Sequence, residues 1–256
     1  MTTVIAGETN TSLLNTAHIW WLDLAEVPED AWISWRVALD EEECARADRF
    51  VQVVDRRQFI AAHALLRAML CRFAGLPPDR WRFVTGSYGK PALHPLHKMD
   101  YLEFNISHTR GAVACGMVQD CPIGVDIEDE GRSGNHLDIA DAYFAPSEVV
   151  QLRAVPVPTG KKLFFLLWTL KEAYLKASGK GLSIPLDCFA FSLPSIDVSF
   201  KPPLLDRPSD WQFASIRCTS SHRMSVAIRT TNLIKVLPGQ VSYSEIERLL
   251  SLSRPV

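Results

Sequence analysis

Gly124-Val125-Asp126-Ile127-Glu128, opened by Pro122-Ile123, reads as a strand, and the rest of the sequence is best read outward from it. Residues two apart on a strand share a face, so Asp126 and Glu128 present two carboxylates side by side while Val125 and Ile127 pack inward. Adjacent carboxylates repel unless a positive charge lies between them. A hard divalent cation such as Mg²⁺ answers that need, because it takes oxygen ligands and often completes its shell with substrate phosphate. An exposed acidic strand edge is the plainer reading, and D-x-E spacing alone does not exclude it.

Downstream, Lys161 to Ser178 reads as a helix closed by Gly179 at the position after its C-cap. Positions 163, 164, 167, 168, 170, 174 and 175 are apolar, which leaves a narrow polar strip of Thr169, Glu172 and Lys176. A Glu four residues before a Lys is ordinarily a surface pair worth a few tenths of a kcal/mol. On so apolar a helix the pair is expected in a cleft or lobe interface, with Glu172 as a metal ligand or base and Lys176 neutralising phosphate. Upstream, Phe104-Asn105-Ile106-Ser107-His108 reads as a strand whose end offers a hydroxyl and an imidazole to phosphate oxygens. A Ser/His hydrolase is not expected, since no G-x-S-x-G elbow is present. Gly89-Lys90-Pro91 is not a P-loop, because Pro91 occupies the Ser/Thr position. His94 and His97 stand in a Pro-rich loop without a neighbouring carboxylate motif, so no metal site is expected there.

The remaining pattern divides into two comparable α/β lobes, 1–120 and 121–256. In the first, His18–Leu24 reads as a strand, Asp40-Glu41-Glu42-Glu43 as a helix start, and Arg56–Phe73 as an amphipathic helix ended by Gly75. Trp81–Thr85, Leu102–Ser107 and Ala112–Val118 read as strands, with turns at Gly86-Ser87-Tyr88-Gly89 and Thr109-Arg110-Gly111. In the second lobe, helical patterning from Ile139 to Arg153 is broken at Pro146, and Pro156, Pro158 and Gly160 read as a linker-like turn. Strands are expected at Cys188–Leu193, Val198–Phe200, Trp211–Arg217 and Met224–Arg229.

Composition bounds the function. The chain has 256 residues, 47% apolar and 22% charged, in the globular range. Its longest apolar run is Leu163–Trp168, far short of the roughly 20 residues that span a bilayer, so no membrane role is expected. Residues 1–10 carry no Lys or Arg and no long apolar stretch, so neither a secretory nor a mitochondrial address is expected. Six cysteines without a C-x-x-C pair point to thiols in a reducing cytoplasm. A net charge of −2 argues against nucleic acid as a partner. That average conceals a division. Asp23–Glu43 holds eight acids and one base, and Arg46–Lys98 ten bases and three acids. Two solvated faces or a funnel for a small polyanion both satisfy it.

Arg46 and Phe50, Gly89-Lys90-Pro91, Phe104–His108, Gly124–Glu128, and Trp168–Lys176 with Gly179 and Gly181-Leu182 occur here in that order. Together they resemble the 4′-phosphopantetheinyl transferase superfamily, in its longer surfactin-synthetase-activating (Sfp-type) branch, over residues 40 to 190. The resemblance implies an α/β pseudodimer, two similar lobes with the active site in the cleft between them. It implies a monomeric cytoplasmic enzyme moving phosphopantetheine from coenzyme A to a serine of an apo acyl, peptidyl or aryl carrier protein, releasing 3′,5′-ADP. By motif, Asp126, Glu128 and Glu172 would hold Mg²⁺, Glu172 would also be a candidate base, and Lys176 would stabilise the pyrophosphate. Ser107 and His108 would bind coenzyme A phosphates, with Lys90 and Arg46 at the nucleotide end. Glu43 stands near where the family can carry a lysine, and Arg49, Arg56 or Arg57 is the substitute for a 3′-phosphate contact. Carrier proteins of this kind are commonly acidic helical bundles, so a basic or apolar docking surface is implied. The competing readings are a non-catalytic module that binds coenzyme A or a carrier protein, and a Mg²⁺-dependent phosphohydrolase. The second explains neither the G-K-P turn nor the Ser-His strand end.

Overall fold

The chain builds the same sequence of elements twice. In the computed structural model, which describes residues 12–86 and 89–251, the first unit opens with strand β1 (Thr16–Asp23) and helices α1 (Ala31–Val37), α2 (Glu41–Asp48) and α3 (Val53–Ala74). A short hairpin of β2 (Phe83–Thr85) and β3 (Pro91–Leu93) follows, then β4 (Leu102–Thr109) and β5 (Ala112–Gln119). The second unit repeats this as β6 (Ile123–Asp129), α4 (His136–Tyr143), α5 (Pro146–Arg153), α6 (Val157–Ser178), the hairpin β7 (Phe189–Ser192) and β8 (Asp197–Phe200), then β9 (Trp211–Arg217) and β10 (His222–Arg229). The sheets match as well: β1-β5-β4 and β6-β10-β9 share one antiparallel order. Each long helix has 22 residues and stops at a glycine in the left-handed region, Gly75 (φ 76°) and Gly179 (φ 69°), where a Cβ would be strained. The fold is therefore a mixed α/β pair of similar lobes.

Two features depart from the pattern read in the sequence. Pro156, Pro158 and Gly160 do not form a linker: Pro156 caps α6, and Pro158 and Gly160 lie in its first turn. Proline is tolerated there because the first N–H groups of a helix have no intrahelical acceptor to lose. After β10 the chain returns to the first unit. Strand β11 (Lys235–Gln240) pairs parallel with β1, and α7 (Tyr243–Ser251) buries Ile246, Leu249 and Leu250 in the same core as α3. The first repeat ends with β5 and the second begins with β6, and the segment 235–251 returns to the first sheet and its core. The terminal residues 1–11, the Ser87-Tyr88 half of the expected turn and the Leu182 side chain lie outside the described residues. Among the described residues no helix is long and apolar enough to cross a membrane. All six cysteines are free.

Three cores hold the lobes. One lies between α3 and the first sheet, one around α6, and the third between the sheets, where Ala17, Ile19 and Trp21 of β1 meet Val125 and Ile127 of β6 and Met224 and Val226 of β10. Alternation along β6 thus sends Val125 and Ile127 into the inter-sheet core and turns Asp126 and Glu128 toward α6. The approach of α6 to β6 depends on Gly124, since a Cβ there would lie 2.0 Å from the Ala173 carbonyl oxygen and 2.5 Å from the Ala177 nitrogen. Both are backbone atoms, so neither can swing away. Gly124→Ala is expected to lower unfolding free energy by about 3 kcal/mol, the upper range of core overpacking, measured by urea titration. An unchanged midpoint would show that α6 can back off freely.

A second buried device ties α2 to α3. Asp40 accepts from the Glu43 N–H and Glu43 from the Asp40 N–H, each at 2.9 Å, a reciprocal cap on α2. The same Glu43 carboxylate meets His63 Nδ1 at 2.6 Å and Arg67 at 2.8 Å. Burial alone would raise its pKa, but His63 and Arg67 overcome that and hold it at about 2. A depressed carboxyl pKa gives stability that is present above the unfolded value and lost as pH falls toward the folded one. Glu43→Gln is therefore expected to be less stable than the parent at pH 6 by about 3 kcal/mol. The difference should close between about pH 4.5 and 2, read from urea titrations across that range.

Candidate active site

The site is set by how α6 is pinned. Lys171, wholly buried, gives its three ammonium protons to Glu148 Oε2 (2.8 Å), the Leu186 carbonyl (2.8 Å) and the Phe189 carbonyl (2.7 Å). Glu148, on α5, also accepts from the Ala145 and Phe191 N–H groups at 3.1 and 2.9 Å. With Lys171 fixed on the far side, Thr169, Glu172 and Lys176 turn toward β6 and β10. Thr169 is buried at the closed end of this strip, against Ser225 at 2.8 Å. Lys176, at the open end, reaches Asp126 Oδ1 (2.7 Å), Ser107 Oγ (2.9 Å) and the Val125 carbonyl (3.1 Å).

The carboxylates are electrostatically uncomfortable. Burial pushes the Asp126 pKa up, against the pull of Lys176 and Ser107. Burial and then the Asp126 charge push Glu128 up to about 7, and the same two causes raise Glu172. Asp126 Oδ2 is buried and receives no hydrogen bond. A buried carboxylate oxygen without a donor is costly, and the Asp126 charge bears on both other carboxylates while all three share one nearby lysine. Their chemistry fits a hard divalent cation. As they stand they are not assembled around one: among the described residues no three His, Cys, Asp or Glu side chains form a ready metal-holding group. Lys176 already occupies Asp126 Oδ1.

Glu172 and Lys176 line a cavity of about 230 Å³ together with Lys90, Asn105 and Gly179. Beside it, sharing Gly89, Pro91 and Ile106, lies one of about 400 Å³ lined by Arg46, Arg49, His63 and His108. The sequence-expected residues thus gather along one cleft, with exceptions of position. Asp126 and Glu128 line neither cavity and stand behind Lys176. Ser107 is committed internally, donating to Asp126 Oδ1 (3.1 Å) and accepting from the Ile127 N–H (3.3 Å) and Lys176. Lys90 reaches the Ile123 carbonyl (3.2 Å) and lies 3.7 Å from Glu103; burial lowers its pKa. His108 is an exposed residue that lines the cleft, and surrounding protein and then Lys176 and His63 lower its pKa. Of the three substitute arginines, Arg49 lines the cleft, whereas Arg56 donates to the Phe50 carbonyl and Arg57 pairs with Glu29 over the Trp32 ring. His94 and His97 each accept a backbone N–H, from Leu96 and Arg82. Sequence reasoning assigned no role to Lys171, Glu148, Asn105 or Thr109; for Lys171 the only signal was a charged residue in an otherwise apolar helical run.

The arrangement is a cleft lined by lysine, arginine and histidine side chains, with three carboxylates of raised pKa in or behind its wall. The comparisons agree in kind. Residues 122–229 match the model of the 4′-phosphopantetheinyl transferase superfamily, and residues 27–117 that of a 4′-phosphopantetheinyl transferase N-terminal region. The chain is 35% identical over 173 residues to the 4′-phosphopantetheinyl transferase HetI of Nostoc sp., covering 68% of this chain and 73% of that one. It is 34% identical over 155 residues to 4′-phosphopantetheinyl transferase Sfp of Bacillus subtilis, 60% of this chain and 66% of that one. With a mouse L-aminoadipate-semialdehyde dehydrogenase-phosphopantetheinyl transferase it shares 24% over 214 residues, 77% and 69% of the two chains. The chain belongs to the 4′-phosphopantetheinyl transferase superfamily, in its Sfp-type branch.

Proposed function

We propose that this enzyme takes phosphopantetheine from coenzyme A bound along the cleft and transfers it to a serine of an apo acyl, peptidyl or aryl carrier protein, releasing 3′,5′-ADP. The observation that carries this reading is the orphaned Asp126 Oδ2, held behind Lys176 near Glu128 and Glu172, next to a cleft lined by Glu172, Lys90, Lys176, Arg46, Arg49 and His108. Asp126, Glu128 and Glu172 are the residues to hold Mg²⁺. When bound, the cation offsets charge on the pyrophosphate and the leaving phosphate. Lys176, which borders the cavity while bonded to Asp126, would neutralise the pyrophosphate, and Arg46 and Arg49 would meet phosphate at the nucleotide end. His108 lines the same cleft, where a ring N–H can donate to a phosphate oxygen. Glu172, whose raised pKa suits proton transfer better than an ordinary surface carboxyl, is placed to accept the serine hydroxyl proton.

The two lobes of one chain complete the cleft together, which supports a monomer, and the six free thiols support a cytoplasmic setting. The test is intact-protein mass spectrometry on a panel of apo carrier proteins with coenzyme A and Mg²⁺, against a chelator control. A metal-dependent gain of one phosphopantetheine is expected on at least one carrier. Coenzyme A binding with no gain on any carrier would favour a binding module instead.

A further inference from the structure

Strand β6 is an edge strand: β10 pairs with one side, and among the described residues no strand pairs with the other. Its outward N–H groups at Val125, Ile127 and Asp129 lie against the first lobe, and buried N–H groups without acceptors are costly. Side chains of β4 supply the acceptors. Asn105 Oδ1 takes the Val125 N–H at 2.8 Å, Ser107 Oγ takes that of Ile127 at 3.3 Å, and Thr109 Oγ1 takes that of Asp129 at 3.3 Å. Alternate residues of one lobe thus replace a main-chain ladder along the other.

The residue types in this seam are graded in a way that packing alone does not require. A backbone carbonyl in a normal ladder accepts but has no proton to give, whereas a hydroxyl can accept and donate at once. Ser107 and Thr109 use that second capacity, donating to Asp126 Oδ1 at 3.1 Å and to Glu128 Oε2 at 3.2 Å. Asn105 stands beside Gly124, which has no side chain to hold. We propose that Thr109 is a positioning residue for Glu128: it fixes that carboxylate for the divalent cation from across the lobe seam, as Ser107 does for Asp126. The inference rests on the reading of Asp126, Glu128 and Glu172 as metal-binding residues.

The experiment compares Thr109→Val and Thr109→Ala, which lose the hydroxyl, with Thr109→Ser, which keeps it. Mn²⁺ binding in the presence of coenzyme A is followed by electron paramagnetic resonance, and melting temperatures are recorded without metal. Loss of an outer hydrogen-bond partner typically weakens metal affinity about 10–100-fold. A weakening of about tenfold is expected for Thr109→Val and Thr109→Ala, with Thr109→Ser within about threefold of the parent. Should Thr109→Val not fold, Thr109→Ala carries the comparison. Lowered melting temperature with parental Mn²⁺ affinity in the folded variants would reduce Thr109 to a seam contact and overturn the proposal. A parent enzyme that binds no Mn²⁺ with coenzyme A present would instead overturn the metal reading beneath it.

Discussion

Asp126→Asn is expected to lower phosphopantetheine transfer by about 10³-fold or more without lowering stability. The activity arm follows from what the carboxylate supplies. On the proposed reading it is one of three carboxylates that hold the cation, and removing one electrostatic contributor at such a site commonly costs about 10²–10³-fold, more when a metal is lost with it. The stability arm runs the other way. Asp126 is 5% exposed, burial raises its pKa, and its Oδ2 has no hydrogen bond. An amide of the same shape keeps an oxygen for Ser107 and Lys176 while removing a poorly compensated charge. The melting temperature of the metal-free protein is expected to stay or rise as activity falls, the trade-off of a site built for a ligand rather than for the fold. Mass-spectrometric transfer assays paired with thermal melts check both arms. Retained transfer would contradict the metal assignment, and a large loss of stability would make Asp126 a structural residue.

Lys171→Met is expected to have the largest effect on the fold. The side chain is fully buried, each ammonium proton has a partner, and the ring faces of Phe189 and Phe144 lie 4.3 and 5.3 Å from the nitrogen. Methionine fills the space but leaves the Glu148 carboxylate and two carbonyls without their donor. Breaking a buried pair by removing one partner typically costs about 3–5 kcal/mol, a large share of the roughly 5–15 kcal/mol that holds a domain together. Urea titration reads the loss directly. Adding Glu148→Gln in the Lys171→Met background removes the stranded charge and is expected to restore about 1–2 kcal/mol. If the double variant is no more stable than the single one, the penalty lies in the lost carbonyl contacts rather than in the charge.

Local pattern made much of this molecule legible. The long helices with their terminal glycines, the capped start of α2, and the alternation of Asp126 and Glu128 with two core residues all follow from signals within a few residues of one another. So does the strip of Glu172 and Lys176, because helical spacing sets which side chains share a face. Pro156 to Gly160 misled because proline and glycine mark either a loop or the first turn of a helix. The choice was made by the packing of Phe164, Phe165 and Leu167, further along the same helix.

What the sequence determined alone was therefore most of the elements and the chemical types along the cleft; α1, β3, β11 and α7 were not read from it. Tertiary structure decided their use. It returned β11 and α7 to the first lobe, turned Glu43 inward onto His63 and Arg67, committed Ser107 to Asp126 and Lys176, and separated Arg49 from Arg56 and Arg57. It also joined β4 to β6 through Asn105, Ser107 and Thr109. Each of these outcomes depends on which buried donor meets which buried acceptor between residues far apart in the chain, and that pairing has no periodicity for a sequence to display.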